Sequence, residues 1–300
     1  MTLRWLTCWA LTVIPLSALA LTPEQAALRQ QADAILAAET APQAPGVGVL
    51  IAQDDHILYR AARGRASVAL DVALSPDQVF RIGSLTKTFT AAAILKLSAA
   101  GKLSIQDPLS KFLPDYPSGG TISLAQLLSH TAGISDAWEV DATKPHSTGA
   151  LVKLIAAQAP DFAPGTAWAY SNSGYMLLGA VLEKVTGQPW HVALQSLLTK
   201  PLGLTQTAFH PDDEIVPGSV VGYSQNERGE PILSPYVSAT GPGAAGALSS
   251  TVDDVFHFLH ALTTGRALPP KLYEAMSSAK TTATGKPTAY GYGLMLGTVR

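Results

Sequence analysis

Residues 46–53 form a short apolar, β-branched run and residues 56–62 alternate, so the chain is expected to make a β-hairpin that turns at Asp54-Asp55. An Ala-rich helix precedes it over residues 22–40, with Thr22 as cap and Pro23 at its first position. Ala41-Pro42-Gln43-Ala44-Pro45 breaks that helix. After Pro76 and a short strand near Val79, a helix starts around Ser84 and is stopped by Gly101, a glycine C-terminal cap. From residue 103 to about residue 211 the strand signal fades. Helices are expected there at 124–130, 147–158, 173–186 (ended by Gly187) and 190–198. Residues 220–232 read as a second hairpin centred on Arg228-Gly229. Residues 238–246 are rich in Gly and Ala, which lets backbone approach another surface closely. Ser250 or Thr251 caps a last helix with Asp253 and Asp254 in its first turn, ending at Gly265. The pattern implies an α/β (α+β) domain over residues 21–300, with a mainly helical region inserted at about 103–211.

Composition narrows the function classes. Hydrophobic residues make up 47% of the chain and charged ones 14%, enough apolar material for a substantial core. A formal charge of −2 gives no basic surface for nucleic acid. The seven histidines are scattered; His257 and His260 sit three apart on an expected helix and read as packed or solvated rather than metal-binding. No metal or cofactor is implied. Residues 1–20 read as an export signal: Arg4, an uncharged apolar run over 5–16, and Ala18-Leu19-Ala20 as the cleavage site. That run is short of the roughly 20 residues a membrane span needs, so no stable span is expected after cleavage. Cleavage would also remove Cys8, the single cysteine. Export without disulfides suits a bacterial periplasmic or secreted protein.

Ser84-Leu85-Thr86-Lys87 carries the first chemical signal. Lys87 is the only ionisable residue between Ile82 and Leu95, and it occupies a helix N-terminus, where the dipole disfavours a cation. Residues three apart on a helix are neighbours, so a hydroxyl and an amine are held side by side, as a serine nucleophile and its base require. Ser84 as a plain N-cap with Lys87 in water is the competing reading. The pattern recurs at Ser277-Ser278-Ala279-Lys280, near the end of an expected helix with nothing to suggest burial. Tyr170-Ser171-Asn172 carries the second signal. Tyr170 could be a core aromatic and Asn172 an N-cap; alternatively, a phenol beside a lysine can take and return a serine proton, and an amide can orient a carbonyl or amine.

The segments FRIGSLTKTFTAAAILKL, LLSHTAGI, FAPGTAWAYSNSGYMLLG, KPLGLTQT and GALSSTVDD together resemble the serine β-lactamase and penicillin-binding-protein superfamily. The nearest branch holds class C β-lactamases, D-Ala-D-Ala carboxypeptidases and related esterases. The resemblance implies a β-lactamase/transpeptidase-like fold, an antiparallel sheet flanked by helices. It makes Ser84 the acylated nucleophile, Lys87 its base, Tyr170 a proton relay and Asn172 a contact for Lys87 and the substrate amide. The Ser84 backbone N–H would supply half an oxyanion hole. His130-Thr131-Ala132-Gly133 would be structural. The family's third element, Lys-Thr-Gly or His-x-Gly on an edge strand, is expected after Tyr290-Gly291-Tyr292-Gly293. The chain reaches Arg300 without it, so the last sheet strands are expected to be missing by truncation. Thr284-Gly285-Lys286 is reversed and upstream.

These readings imply a periplasmic acyl-serine hydrolase for cell-wall D-amino-acid peptides, β-lactams or small esters. The rival is a non-catalytic penicillin- or muropeptide-binding receptor module of the same fold. There is no Gly-x-Ser-x-Gly around Ser84, which argues against a nucleophile-elbow hydrolase.

Overall fold

A computed structural model describes residues 21–137 and 141–297; the expected export signal lies outside them. Helix α1 (Pro23–Glu39) begins at a capping box in which Thr22 and Gln25 exchange side-chain and backbone bonds. It lies along an antiparallel hairpin of β1 (Val47–Gln53) and β2 (His56–Arg63). Tyr59 donates to Asp33 at 2.7 Å, and the Arg29 side chain donates to the Leu58 carbonyl at 2.9 Å, which fixes helix on strand. β3 (Arg65–Ser67) pairs with β4 (Val72–Ala73). β5 (Phe80–Arg81) then leads through a tight turn at Gly83–Leu85 into α2 (Thr86–Ala99).

α2 is the axis of the molecule. Every residue from Thr86 to Leu95 is buried, so over these ten residues the helix has no solvent face. Its threonine hydroxyls are satisfied by neighbouring backbone: Thr88 donates to the Gly293 carbonyl and Thr90 to the Ala244 carbonyl. Gly101, at φ +66°, follows the helix end as expected.

The helical stretch supplies α3 (Leu124–Leu128), α4 (Thr148–Ala156), α5 (Asn172–Thr186), α6 (Trp190–Leu194) and α7 (Lys200–Leu202). A π-turn at Gln195–Thr199 joins the last two, so the helix expected at 190–198 runs further and carries a bulge. α5 is capped by Ser171, whose hydroxyl accepts the Gly174 N–H, and ends at left-handed Gly187. It packs on α2 within a hydrophobic core that includes Leu177, Leu178, Val181 and Leu182. Burying each such leucine contributes about 1.5–3 kcal/mol.

β6 (Ala208–Phe209) returns the chain to strand and pairs with β9 (Leu248–Ser250), which pairs in turn with β5. Between them β7 (Tyr223–Gln225) and β8 (Pro231–Leu233) form the expected second hairpin. Thr251 rather than Ser250 caps α8 (Val252–Thr263). Arg60 on β2 bonds Asp253 in the first turn of α8 at 2.7–3.0 Å, tying that helix to the hairpin. α9 (Pro270–Met276) ends before Ser277, so the second Ser-x-x-Lys lies beyond the helix. Antiparallel strands with helices packed against them give the β-lactamase/transpeptidase-like architecture. Among the described residues no helix is long and apolar enough to cross a membrane.

Candidate active site

Ser84 is exposed on the tight turn before α2, while Lys87, one turn on, is only 1% exposed. Position on a helix buried all round accounts for this. The Lys87 amine lies 3.2 Å from Ser84 Oγ and donates to Asn172 Oδ1 and to the Ala245 carbonyl, both at 2.8 Å. Burial pushes Lys87 down to about 8, against an opposing pull from the Asp136 carboxylate. Lys87 does not reach water, and Leu85 rather than Ser84 holds the N-cap position of α2, so the competing reading fails.

Tyr170 closes the other side. Its hydroxyl donates to Ser84 Oγ at 2.9 Å, and Lys87 Nζ sits 4.9 Å from its ring centre. The residue is 36% exposed, so Tyr170 is not a core aromatic. Burial raises its phenol above the ordinary range, while the bond to Ser84 opposes that. Asn172 is not the N-cap of α5; Ser171 is. That leaves the Asn172 amide free to turn toward Lys87. Ser84, Lys87, Tyr170 and Asn172, predicted from the sequence, are thus brought together.

The segment 130–136 builds the wall behind them. His130 adopts φ +60°, and its Nδ1 accepts the Ser171 N–H at 3.1 Å. Its carbonyl accepts the Ala169 N–H, so one residue holds the backbone on both sides of Tyr170. The imidazole packs 4.5 Å from the Tyr170 ring and 4.6 Å from the Tyr290 ring. Burial, reinforced by nearby Lys87, pushes it down to about 3, so it is neutral, with its proton on Nε2. The structural role expected of this segment is therefore concrete: it positions Tyr170.

Sequence reasoning missed Asp136. Its Oδ2 accepts from Asn172 Nδ2 and its Oδ1 from the Ser173 N–H, both at 3.0 Å. The signal was available, because Asp136 ends an uncharged run beginning at Tyr116, just as Lys87 stands alone in its own. The Ala245 carbonyl was also missed; a backbone acceptor leaves no mark in a sequence.

Backbone geometry brings α2, α5 and the Gly-Ala turn this close. A Cβ on Gly179 would lie 2.7 Å from Ala244 Cβ, and one on Gly293 would lie 2.8 Å from the Lys87 carbonyl. Side chains there would push the turn or the 290–293 segment off the helices. The resulting cleft, about 390 Å³, is lined by Ser84, Asp136, Asn172, Met176, Val237 and Gly246 among others. A larger groove of about 580 Å³ between β1 and α8 is apolar and holds none of Ser84, Lys87, Tyr170 and Asn172.

The family model for β-lactamase matches residues 24–300. The chain belongs to the β-lactamase family. PbpX of Bacillus subtilis (strain 168), which carries a penicillin-binding-protein name, is 31% identical over 245 residues, 81% of this chain and 60% of PbpX. The chain therefore spans about three fifths of that relative. Among solved structures, the D-stereospecific amidohydrolase from Streptomyces sp. is 29% identical with a TM-score of 0.74, covering 91% of this chain and 83% of that one. The D-amino acid amidase from Ochrobactrum anthropi SV3 is 25% identical with a TM-score of 0.77, covering 91% and 81%. This β-lactamase-family chain thus has a serine-hydrolase-type fold shared with amidases and penicillin-binding proteins.

Proposed function

We propose that this chain hydrolyses small amides, β-lactams or esters, D-amino-acid derivatives among them, through an acyl-serine intermediate on Ser84. The observation that carries the reading is one hydroxyl set between an amine at 3.2 Å and a phenol at 2.9 Å. A neutral amine has two N–H groups, and Asn172 Oδ1 and the Ala245 carbonyl accept both. Its lone pair is then left facing the Ser84 hydroxyl. A lysine pushed down to about 8 supplies that neutral form at a useful fraction near neutral pH.

In the proposed reaction Ser84 Oγ attacks the substrate carbonyl as its proton passes to Lys87. The raised phenol of Tyr170 stays protonated, so Tyr170 acts as the donor to the leaving group rather than as the first base. The leaving group departs with that proton, an ester to Ser84 remains, and water attacks it with the same groups in reverse order. The positive end of α2 favours the developing oxyanion near the Ser84 N–H.

The test is turnover of 4-nitrophenyl acetate beside labelling by a fluorescent penicillin. Ester turnover lost in Ser84→Ala supports the hydrolase. Labelling that persists without turnover favours a penicillin receptor instead, and labelling that survives Ser84→Ala removes the site. Export to the periplasm through a leader cleaved after Ala20 belongs to the same proposal. N-terminal sequencing of the mature protein checks it: a start at Leu21 is expected, and a retained Met1 would contradict it.

A further inference from the structure

We propose that Asp136 is a positioning residue that fixes the Asn172 amide with its oxygen facing Lys87. The inference rests on the acyl-serine reading for its consequence, but its geometry stands alone. A carboxylate only accepts hydrogen bonds, so the Asn172 group facing Asp136 Oδ2 at 3.0 Å must be the NH2. The amide oxygen is thereby directed to Lys87, 2.8 Å away. Were the amide turned over, two oxygens would oppose each other at Asp136 and two donors at Lys87. The second carboxylate oxygen is held by the Ser173 N–H in the first turn of α5, where the helix dipole favours an anion. Asp136 is thus anchored at one oxygen and orients Asn172 with the other, in a continuous line from Asp136 through Asn172 and Lys87 to Ser84.

The line also carries charge. Facing Lys87 among the described residues are Asp136, the Tyr170 and Tyr175 rings at 4.9 and 5.7 Å, and His130. Burial raises both phenols and pushes the imidazole down to about 3, so these three are neutral near pH 7. Asp136 is the one anion of the group, and it favours the ammonium form of Lys87 that burial opposes. That opposition holds the amine where it can both take and return a proton.

The experiment follows the Lys87 side chain by NMR in lysine-labelled protein across pH 6 to 11, beside kcat/KM for 4-nitrophenyl acetate. Asp136→Asn keeps one acceptor and removes the charge; Asp136→Ala removes both; Asp136→Glu restores a carboxylate. Lys87 is expected to titrate at lower pH in the first two and to return toward wild type in the third. In Asp136→Ala kcat/KM is expected to fall about 10- to 100-fold, as misplaced catalytic groups do. A Lys87 titration superimposable on wild type in Asp136→Asn overturns the proposal. So does a rate loss that tracks the melting temperature alone, which would leave Asp136 as a cap for α5. If wild type fails to turn over the ester, the hydrolase reading falls while the titration still decides the role of Asp136. Should Asp136→Ala not fold, the near-isosteric Asp136→Asn carries the test.

Discussion

The chain contains Ser-x-x-Lys twice, at Ser84–Lys87 and at Ser277–Lys280, and the two copies show what the pattern leaves unsaid. In both, burial lowers the lysine. Lys280 rests 4.0 Å from the Tyr292 ring centre and donates to the Ala275 carbonyl, so this copy is more buried than its sequence suggests. Yet the Ser277 hydroxyl turns back to the Tyr273 carbonyl at 2.9 Å, the ordinary habit of serine at a helix end. At the first copy the hydroxyl precedes the helix and lies between the Tyr170 phenol and the Lys87 amine of the helix's first turn. Spacing supplies a neighbour. Placement before or after a helix decides whether that neighbour is used.

Substitutions at the two copies should therefore diverge. Ser84→Ala is expected to lower kcat/KM for 4-nitrophenyl acetate by about 10³-fold or more, since it removes the hydroxyl held between the amine and the phenol. Tyr170→Phe keeps the ring on His130 but removes the donor, and a fall of about 10²-fold is expected in the same assay. Ser277→Ala and Lys280→Met should stay within about twofold of wild type, because neither side chain bonds Ser84, Lys87, Tyr170 or Asn172. A large loss at Ser277, or a small one at Ser84, would break the comparison.

Proton linkage sharpens it. Lys87 has a folded pKa of about 8 against an ordinary value of 10.5. Between those values the unfolded chain binds more protons, so Lys87 makes stability rise as pH rises from about 8 to 10. Below pH 8 both states hold the proton and the burial penalty is fully present. Urea unfolding at pH 7.5 and 9.5 should show wild type gaining stability with pH and Lys87→Met gaining less. An equal gain in the two proteins would mean that Lys87 is not buried as described. His130 adds an acid limb of its own: held down to about 3, it is expected to cost stability as pH falls from about 6.5.

Much of this was legible because it is local. Thr22, Gly101, Gly187 and Thr251 announced helix ends through caps that act within a few residues. The β1–β2 hairpin was read from a run, a turn and an alternation. A strand near Val79 was readable, but its pairing in the sheet of β5, β9 and β6 was not. The strands of that sheet are two or three residues long and pair Phe80 with Ser250 and Phe209 with Leu248, too short for a period and too distant for a turn signal. The site divides the same way. Ser84 and Lys87 declared themselves by spacing and by isolation of charge, and Tyr170 and Asn172 by neighbouring a helix start. Asp136 carried the same isolation of charge, yet its partner Asn172 lies 36 residues away and nothing local joins them.

The most direct measurement is peptide mapping by mass spectrometry after brief exposure to a penicillin at pH 8 and acid quench. Trypsin cuts after Arg81 and Lys87, isolating Ile82-Gly83-Ser84-Leu85-Thr86-Lys87. The acyl mass is expected on that peptide at Ser84 and is expected to be absent from Ser84→Ala. An adduct on Ser277 or Ser278, or one undiminished in Ser84→Ala, would contradict it.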